Sequence, residues 1–347
     1  MRAGLTDHFE QISAMDAGAV EALARRERAG GLLSPGTDGP VRVAAEVAAA
    51  LGLPHPVDVA TAARVTDKRE QRRAFDRDGV PHPAWSEDGE GLPAATRIVV
   101  KPAAAQGQRG LEIVEPGGDL GAAMAAARSI SRDGRALCEE LVEGPELTVN
   151  AFLDNGRFVP LTVTDRERAL AFGVATAHIY PSVHPLAGVV AAAEAACRAL
   201  GLAAGPSYTQ VLLSPEGPRV MEVAARLGGG HDAELCFAAL GVDLSAAAVR
   251  AALGRAVGSL VPTRDRAAVV RFLVAPVGRL VRVDGLAEAR ELPGVELAHV
   301  YRMPGALIAP LLRGPDRAGF VLASGATREN AEASARAAEA TIQFVAE

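Results

Sequence analysis

The chain has 347 residues, 49% of them hydrophobic and 22% charged, a balance that excludes a disordered chain and points to two or three globular domains. A formal net charge of −6, with no long basic run, gives nucleic acid no footing. No uncharged apolar run reaches the length of a membrane span, and Asp7, His8 and Glu10 stand where a secretory leader would be apolar.

Along the chain, Ala19 to Arg28 has helical periodicity, Gly31 to Ser34 reads as a short strand, and Pro35 to Pro40 leads into an alanine-rich helix over Val41 to Leu51, together a βα unit. Asp67-Lys68 opens a charged helix that runs to about Asp78 and stops at Gly79-Val80-Pro81-His82-Pro83. The β-branched run Arg97 to Lys101 predicts a strand, followed by a small-residue tip containing Gln106, Gly107 and Gly110, and a second strand over Leu111 to Val114. An acidic hinge, Glu139-Glu140-Leu141-Val142-Glu143-Gly144-Pro145-Glu146, separates two apolar segments. Pro185 to Leu200 reads as a helix, and Ser207 to Leu213 and Pro218 to Val223 as a hairpin turning at Ser214 to Gly217. From Ala267 the segments Val269 to Ala275, Gly278 to Val283, Leu297 to Tyr301 and Gly319 to Ser324 alternate like strands of a small antiparallel unit, which a helix over Thr327 to Phe344 closes.

Only Lys68 and Lys101 among the 36 basic residues are lysines. A lysine ammonium is a compact charge on a thin stem, suited to a phosphate oxygen in a confined site, whereas guanidinium is a broad planar fork. A coding bias towards arginine is the plain alternative, but Lys101 stands beside a glycine-containing tip whose backbone N–H groups can approach a polyphosphate. Cys138, Cys197 and Cys236 have neither disulfide nor zinc spacing, which fits buried thiols in a reducing cytoplasm.

Four features follow one another in order: Asp67-Lys68; Val100-Lys101-Pro102 with its glycine tip; the acidic hinge; and Glu222-Val223-Ala224-Ala225-Arg226-Leu227-Gly228-Gly229-Gly230. With them the chain resembles the ATP-grasp family, and within it the carboxylate-amine ligases, from about Gly31 to the C-terminus. The resemblance implies an α/β (α+β) ATP-grasp fold with an abbreviated Rossmann-like N-terminal domain over residues 1–66, a nucleotide-binding and catalytic domain over 67–255, and a small antiparallel α+β domain over 256–347 that helps cover the substrate. The N-terminal domain is shorter than in the related enzymes, so it is either abbreviated or Met1 is a late start.

The resemblance also implies roles. ATP would be bound by Lys68 and Lys101, by the tip at Gln106, Gly107 and Gly110, by backbone of Glu139, Glu140 and Val142 at adenine, and by Glu146 at the ribose. A carboxylate midway along an apolar strand has little other reason to point inward, which makes Glu222 the expected Mg²⁺ ligand. Arg226 and Lys101 are the expected catalytic cations, and Arg226, Gly228, Gly229, Gly230 and His231 would contact a small-molecule carboxylate or amine substrate. No nucleic-acid or membrane partner is expected; a homodimer is compatible with a sequence that carries no sign of oligomeric state.

Three positions depart from the family's pattern. Gln210 stands where a metal-binding carboxylate is usual, so its carbonyl oxygen is the second expected metal ligand; Ala224 replaces an asparagine, and Tyr208 a frequent histidine. Asp232 or His231 would be a substitute ligand. Three functions stay open: an amide-forming ligase acting through an acylphosphate, another ATP-grasp enzyme such as a carboxylase component or nucleotide-pathway ligase, and an ATP-binding module without turnover. If Gln210 merely impairs the site, Gln210→Glu raises activity. Asp165 to Arg168 and Ala175 to His178 are the segments expected to line the substrate pocket, or else to form a charged surface loop.

Overall fold

The structure is a computed structural model describing residues 8–93, 96–104, 110–169 and 174–347. Gln106 and Gly107 lie outside the described residues. Four helices come first: α1 (Ala17–Arg26), α2 (Gly39–Leu51), α3 (Val59–Val65) and α4 (Lys68–Asp78). Asp16, Asp58 and Asp67 cap α1, α3 and α4 by accepting backbone N–H groups, and Gly52 and Gly79 end α2 and α4 in the left-handed conformation. The strand expected at Gly31 to Ser34 does not form. That segment packs against the backbone of Ala252 and has no neighbouring strand to complete its hydrogen bonds.

The next unit is a small antiparallel sheet of β1 (Trp85–Ser86), β2 (Ile98–Pro102), β3 (Glu112–Val114) and, after α5 (Leu120–Ile130), β4 (Ala136–Glu140), in the order β1-β4-β2-β3. Val99 pairs with Glu139 and Lys101 with Leu137. Side chains alternate across a strand, so Val100 and Cys138 pack under Ala123, Met124 and Ala127 of α5, while Lys101 and Glu139 share the opposite face.

The remaining strands are β5 (Glu146–Asp154), β6 (Arg157–Arg168), β7 (Ala175–Tyr180), β8 (Gly205–Ser214), β9 (Gly217–Ala224), β10 (Ala267–Leu273), β11 (Gly278–Asp284), β12 (Val295–Val300), β13 (Leu307–Ile308), β14 (Gly319–Gly325) and β15 (Gln343–Ala346). Between them run α6 (Ala187–Ala199), α7 (Asp232–Leu240), α8 (Leu244–Ala252), α9 (Leu286–Arg290) and α10 (Arg328–Thr341). Eight strands form one sheet in the order β12-β14-β10-β7-β6-β5-β8-β9. Three of the C-terminal strands, β10, β12 and β14, therefore join the central sheet. β10 pairs with β7, Val269 opposite Ile179, and extends the central sheet because both faces of β10 are covered, with Val270 packed in one core and Val269 in another. β11, β13 and β15 lie outside that sheet and form a three-stranded sheet in the order β13-β11-β15. The closing helix ends at Thr341, and the residues after it become β15.

The two largest cores pack on the main sheet. Val189, Ala193, Ala196 and Leu200 of the α6 region pack with Phe75 of α4 on β5, β8 and β9, and Leu235, Ala239 and Ala248 of α7 and α8 pack with Val270, Phe272 and Leu322 on β10 and β14.

Candidate active site

The site lies where α4 joins the small sheet to the main one. Lys68 and Arg72 are one helical turn apart on α4 and point the same way. Lys68 Nζ is 3.5 Å from Glu222 Oε1 on β9. Arg72, fully buried, donates from Nε to Glu139 Oε1 at 2.8 Å and from Nη2 to the Met221 carbonyl at 2.6 Å. The second oxygen of Glu139 is 2.6 Å from Lys101 Nζ. Burial pushes the Lys101 ammonium down to about 8 against the pull of Glu139. Burial also opposes ionisation of Glu139, but Arg72 and Lys101 outweigh it and hold the carboxyl below its ordinary range.

Glu146 forms a second charged knot. Arg166 and Arg168, on one face of β6, approach its two oxygens at 2.9 and 3.2 Å, and Gln210 Nε2 donates to Oε1. Arg166 also donates to the Tyr208 hydroxyl at 2.6 Å. Oε1 is thus met by two donors, while Oε2, beside Arg168 alone, keeps acceptor capacity for a ligand hydroxyl. The guanidinium of Arg226 lies 5.4 Å from the Tyr208 ring centre and donates to Asp38 Oδ1 at 2.6 Å, which ties the loop before α2 to the site.

Behind the triple-glycine turn is a buried pair, His178 Nδ1 and Asp232 Oδ1, 2.9 Å apart. Burial lowers the His178 pKa against the opposing charge of Asp232, so the neutral ring donates its Nδ1 proton. A Cβ on Gly228 would sit 2.1 Å from Asp232 Oδ2, and one on Gly230 2.3 Å from His178 Cε1. Only glycine lets the turn lie this close to the pair. Asp232 meets His178 through Oδ1, while its Oδ2 is buried without a hydrogen-bond partner. His231, in left-handed backbone, stacks on Phe320 at 3.6 Å and bonds through Nε2 to the Tyr301 hydroxyl at 2.5 Å.

The hinge residues divide. Glu139 is buried in the site; Glu140 is partly buried and accepts from Ala84 N–H at 3.0 Å; Val142 is buried; Glu143 is exposed beside Arg97. A cavity of about 840 Å³ runs along Glu140 to Pro145 and Leu213 to Glu216. Gly110, at the described end of the hairpin tip, has a positive φ of 71°.

No cluster of three acidic, histidine or cysteine side chains that could hold a metal exists among the described residues. Gln210 and Glu222 are, however, register partners on β8 and β9. Gln210 uses its amide N–H on Glu146, which leaves its carbonyl oxygen to accept from a donor or to meet a cation. One carboxylate and one amide oxygen fit a hard cation that takes most of its ligands from phosphate and water; they do not fit a closed protein cage.

Sequence reasoning missed Arg72, Asp38 and Arg317, and found the β6 arginines only as a suspect segment. Arg72 had a signal, its i+4 spacing from Lys68; Asp38 and Arg317 reach the site through tertiary packing and had none. The three cysteines are free and buried, with thiols pushed by burial to about 11 for Cys138 and Cys197 and about 12 for Cys236. No single helix among the described residues is long and apolar enough to cross a membrane; the apolar pair α7 and α8 is bent by 119°.

Residues 65–230 match the family profile described as the ATP-grasp domain, and residues 271–347 the one described as L-amino acid ligase C-terminal domain 2. The chain carries an ATP-grasp domain followed by a C-terminal domain of the L-amino acid ligase type. It is 28% identical over 332 residues to the uncharacterized protein y4rH of Sinorhizobium fredii, covering 84% of this chain and 63% of that protein. It is 36% identical over 163 residues to carnosine synthase 1 of Gallus gallus, covering 45% of this chain and 17% of that protein. The chain thus spans less than two thirds of these relatives. In fold it is similar to the L-amino acid ligase of Bacillus licheniformis, with a TM-score of 0.81 at 23% identity over 96% of this chain and 85% of that one. It is also similar to phosphoribosylglycinamide synthetase of Anaerococcus prevotii, with a TM-score of 0.79 at 14% identity over 99% and 89%.

Proposed function

We propose that the chain is an ATP-dependent ligase that joins a small carboxylic acid, an amino acid or a close relative of one, to an amine, with release of ADP and phosphate. The observation that carries this reading is the charge of the site. Lys68, Arg72, Lys101, Arg166, Arg168, Arg226 and Arg317 converge there against Asp38, Glu139, Glu146, Glu222 and Asp232, an excess of cations suited to polyphosphate and carboxylate ligands. In-line phosphoryl transfer asks for neutralised charge and alignment rather than a protein nucleophile. The ATP-grasp and L-amino acid ligase matches, and relatives named carnosine synthase, agree with it.

In this reading residues 67–255 form the nucleotide-binding domain and 256–347 cover the substrate. Lys68 and Lys101 meet the phosphates, the tip at Gln106, Gly107 and Gly110 closes over them, and the hinge backbone from Glu139 to Val142 meets adenine. Arg226 and the turn at Gly228 to Gly230 orient the acid, with His231 beside them. Glu222 and the Gln210 carbonyl would hold Mg²⁺, which supplies neutralising charge for the phosphates. An oxygen of the acid bonds to the γ-phosphorus as the bond from that phosphorus to the β-phosphate oxygen breaks and ADP leaves. The amine nitrogen then bonds to the acyl carbon of the acylphosphate, inorganic phosphate leaves, and the amine's surplus proton passes to water or phosphate.

The test is nucleotide turnover with Mg²⁺, ATP and pools of amino acids, small acids and amines, separating ADP from AMP by chromatography. ADP that depends on the pools supports the ligase. AMP points to adenylation and removes the acylphosphate, and ATP binding without turnover in any pool leaves a nucleotide-binding module.

A further inference from the structure

Gln71 stands on α4 between Lys68 and Arg72, outside every role assigned above. It is 1% exposed, and each donor and acceptor of its amide is engaged. Nε2 donates to the Val65 carbonyl at 2.8 Å and to the Val223 carbonyl at 2.9 Å, and Oε1 accepts from the Val223 N–H at 3.0 Å. A side-chain amide carries the donor and the acceptor of a peptide group. Gln71 therefore meets Val223 as the backbone of a neighbouring strand would, on the open edge of β9, the last strand of the main sheet.

Val223 follows Glu222, and the ladder on the other side of β9 is interrupted at this point. Gln210 faces Glu222, but the next pair is Val211 with Val220, so the register slips and Met221 bulges out of the pairing. Strand β8 alone does not fix how far Glu222 projects into the site. Two side chains of α4 hold its flanks instead: Arg72 bonds the Met221 carbonyl at 2.6 Å, and Gln71 bonds both backbone groups of Val223. Lys68, Gln71 and Arg72, at i, i+3 and i+4 on one face of α4, thus stand against three consecutive residues of β9. The Glu222 carboxylate itself has Lys68 at 3.5 Å, longer than a tight charged hydrogen bond, so its aim is set by the backbone beneath it.

Closing a sheet edge would by itself account for a buried glutamine. What points beyond that is the place of the grip, at the bulge and beside the one carboxylate of the expected metal site. A cation held by one carboxylate and one amide oxygen has few other protein ligands to correct a misplaced one. We propose that Gln71 is a positioning residue for the divalent cation: by gripping Val223 it holds Glu222 at the depth from which its carboxylate reaches a metal on the nucleotide phosphates. This deepens the ligase reading and rests on its placement of Mg²⁺ at Glu222.

The experiment measures binding without turnover. β,γ-Methylene-ATP is titrated calorimetrically into the full chain in EDTA and again in saturating Mg²⁺, and the ratio of the two affinities is the gain due to the metal. In Gln71→Met, which keeps the reach of the side chain without its amide, that gain should shrink about tenfold, with the metal-free affinity unchanged within about twofold. Because Gln71 acts through Glu222, the loss should vanish in a Glu222→Gln background, as a double-mutant cycle reads it. Val189→Ala, which removes volume from the core that holds Val65 and Val223, should lower stability in urea and leave the gain intact. Gln71→Asn, a methylene shorter, should lose part of the gain and decides the matter if the methionine variant does not fold. A wild type that gains nothing from Mg²⁺, a gain unchanged in the Gln71 variants, a loss that adds to that of Glu222→Gln, or an equal loss in Val189→Ala overturns the assignment. The ligase reading fails separately, in the ADP assay.

Discussion

The side-chain amide of Gln210 donates to Glu146 Oε1, so the glutamine is a working member of a charged cluster and not a lost metal ligand alone. Arg166 and Arg168 flank the same carboxylate. Gln210→Glu would replace the donor with a second anion and set two carboxylates against each other. Turnover, read as ADP release, should therefore fall by about tenfold and not rise; a rise would restore the reading of an impaired metal site.

Lys101 titrates at about 8 because it is buried, within reach of an ordinary pH profile. Its charged form, the one that holds phosphate, predominates below that value and is lost above it. ATP affinity measured by calorimetry should weaken about tenfold between pH 7 and pH 9, and Lys101→Met should abolish the inflection. A wild-type profile flat through pH 8 removes Lys101 from the phosphate site.

Arg72 joins α4 to β4 through Glu139 and to β9 through the Met221 carbonyl. Arg72→Met leaves Glu139 buried with a single cation, and breaking a buried pair in this way costs about 3 kcal/mol. Urea denaturation should show that loss, with Arg72→Lys falling between. Equal stability of the methionine variant and wild type would mean Lys101 alone suffices.

The three glycines of the turn should differ. Gly228→Ala and Gly230→Ala drive a Cβ into Asp232 and His178, whereas at Gly229 the nearest contact is the Gly36 carbonyl at 3.4 Å. The first two should each cost about 2 kcal/mol and raise the KM of the acid substrate; Gly229→Ala should stay within about 0.5 kcal/mol. Identical behaviour of all three would show that the His178 and Asp232 contact does not shape the turn.

Much of the local structure was legible in the sequence because it depends on near neighbours. The breaker after Asp78, the β2 and β3 hairpin, the β8 and β9 hairpin and the inward Glu222 follow from turn residues, alternation and the cost of burying a lone carboxylate. The two lysines stood out by composition alone. The β-like pattern at Gly31 to Ser34 misled because a short apolar run becomes a strand only if another strand is at hand to pair with it.

What the sequence by itself determined was the order of chemical groups along the chain, and with it the presence of an ATP-grasp domain. Tertiary structure decided which charges meet. Pairing β10 with β7 carried Phe272 into the central sheet and set Arg317 over its ring, and packing brought Asp38 to Arg226 across most of the domain. Coulomb energy depends on distance through space and on burial, neither of which is written in sequence spacing. The partners of Glu139, Glu146 and Arg317 therefore became apparent only once the sheets were assembled.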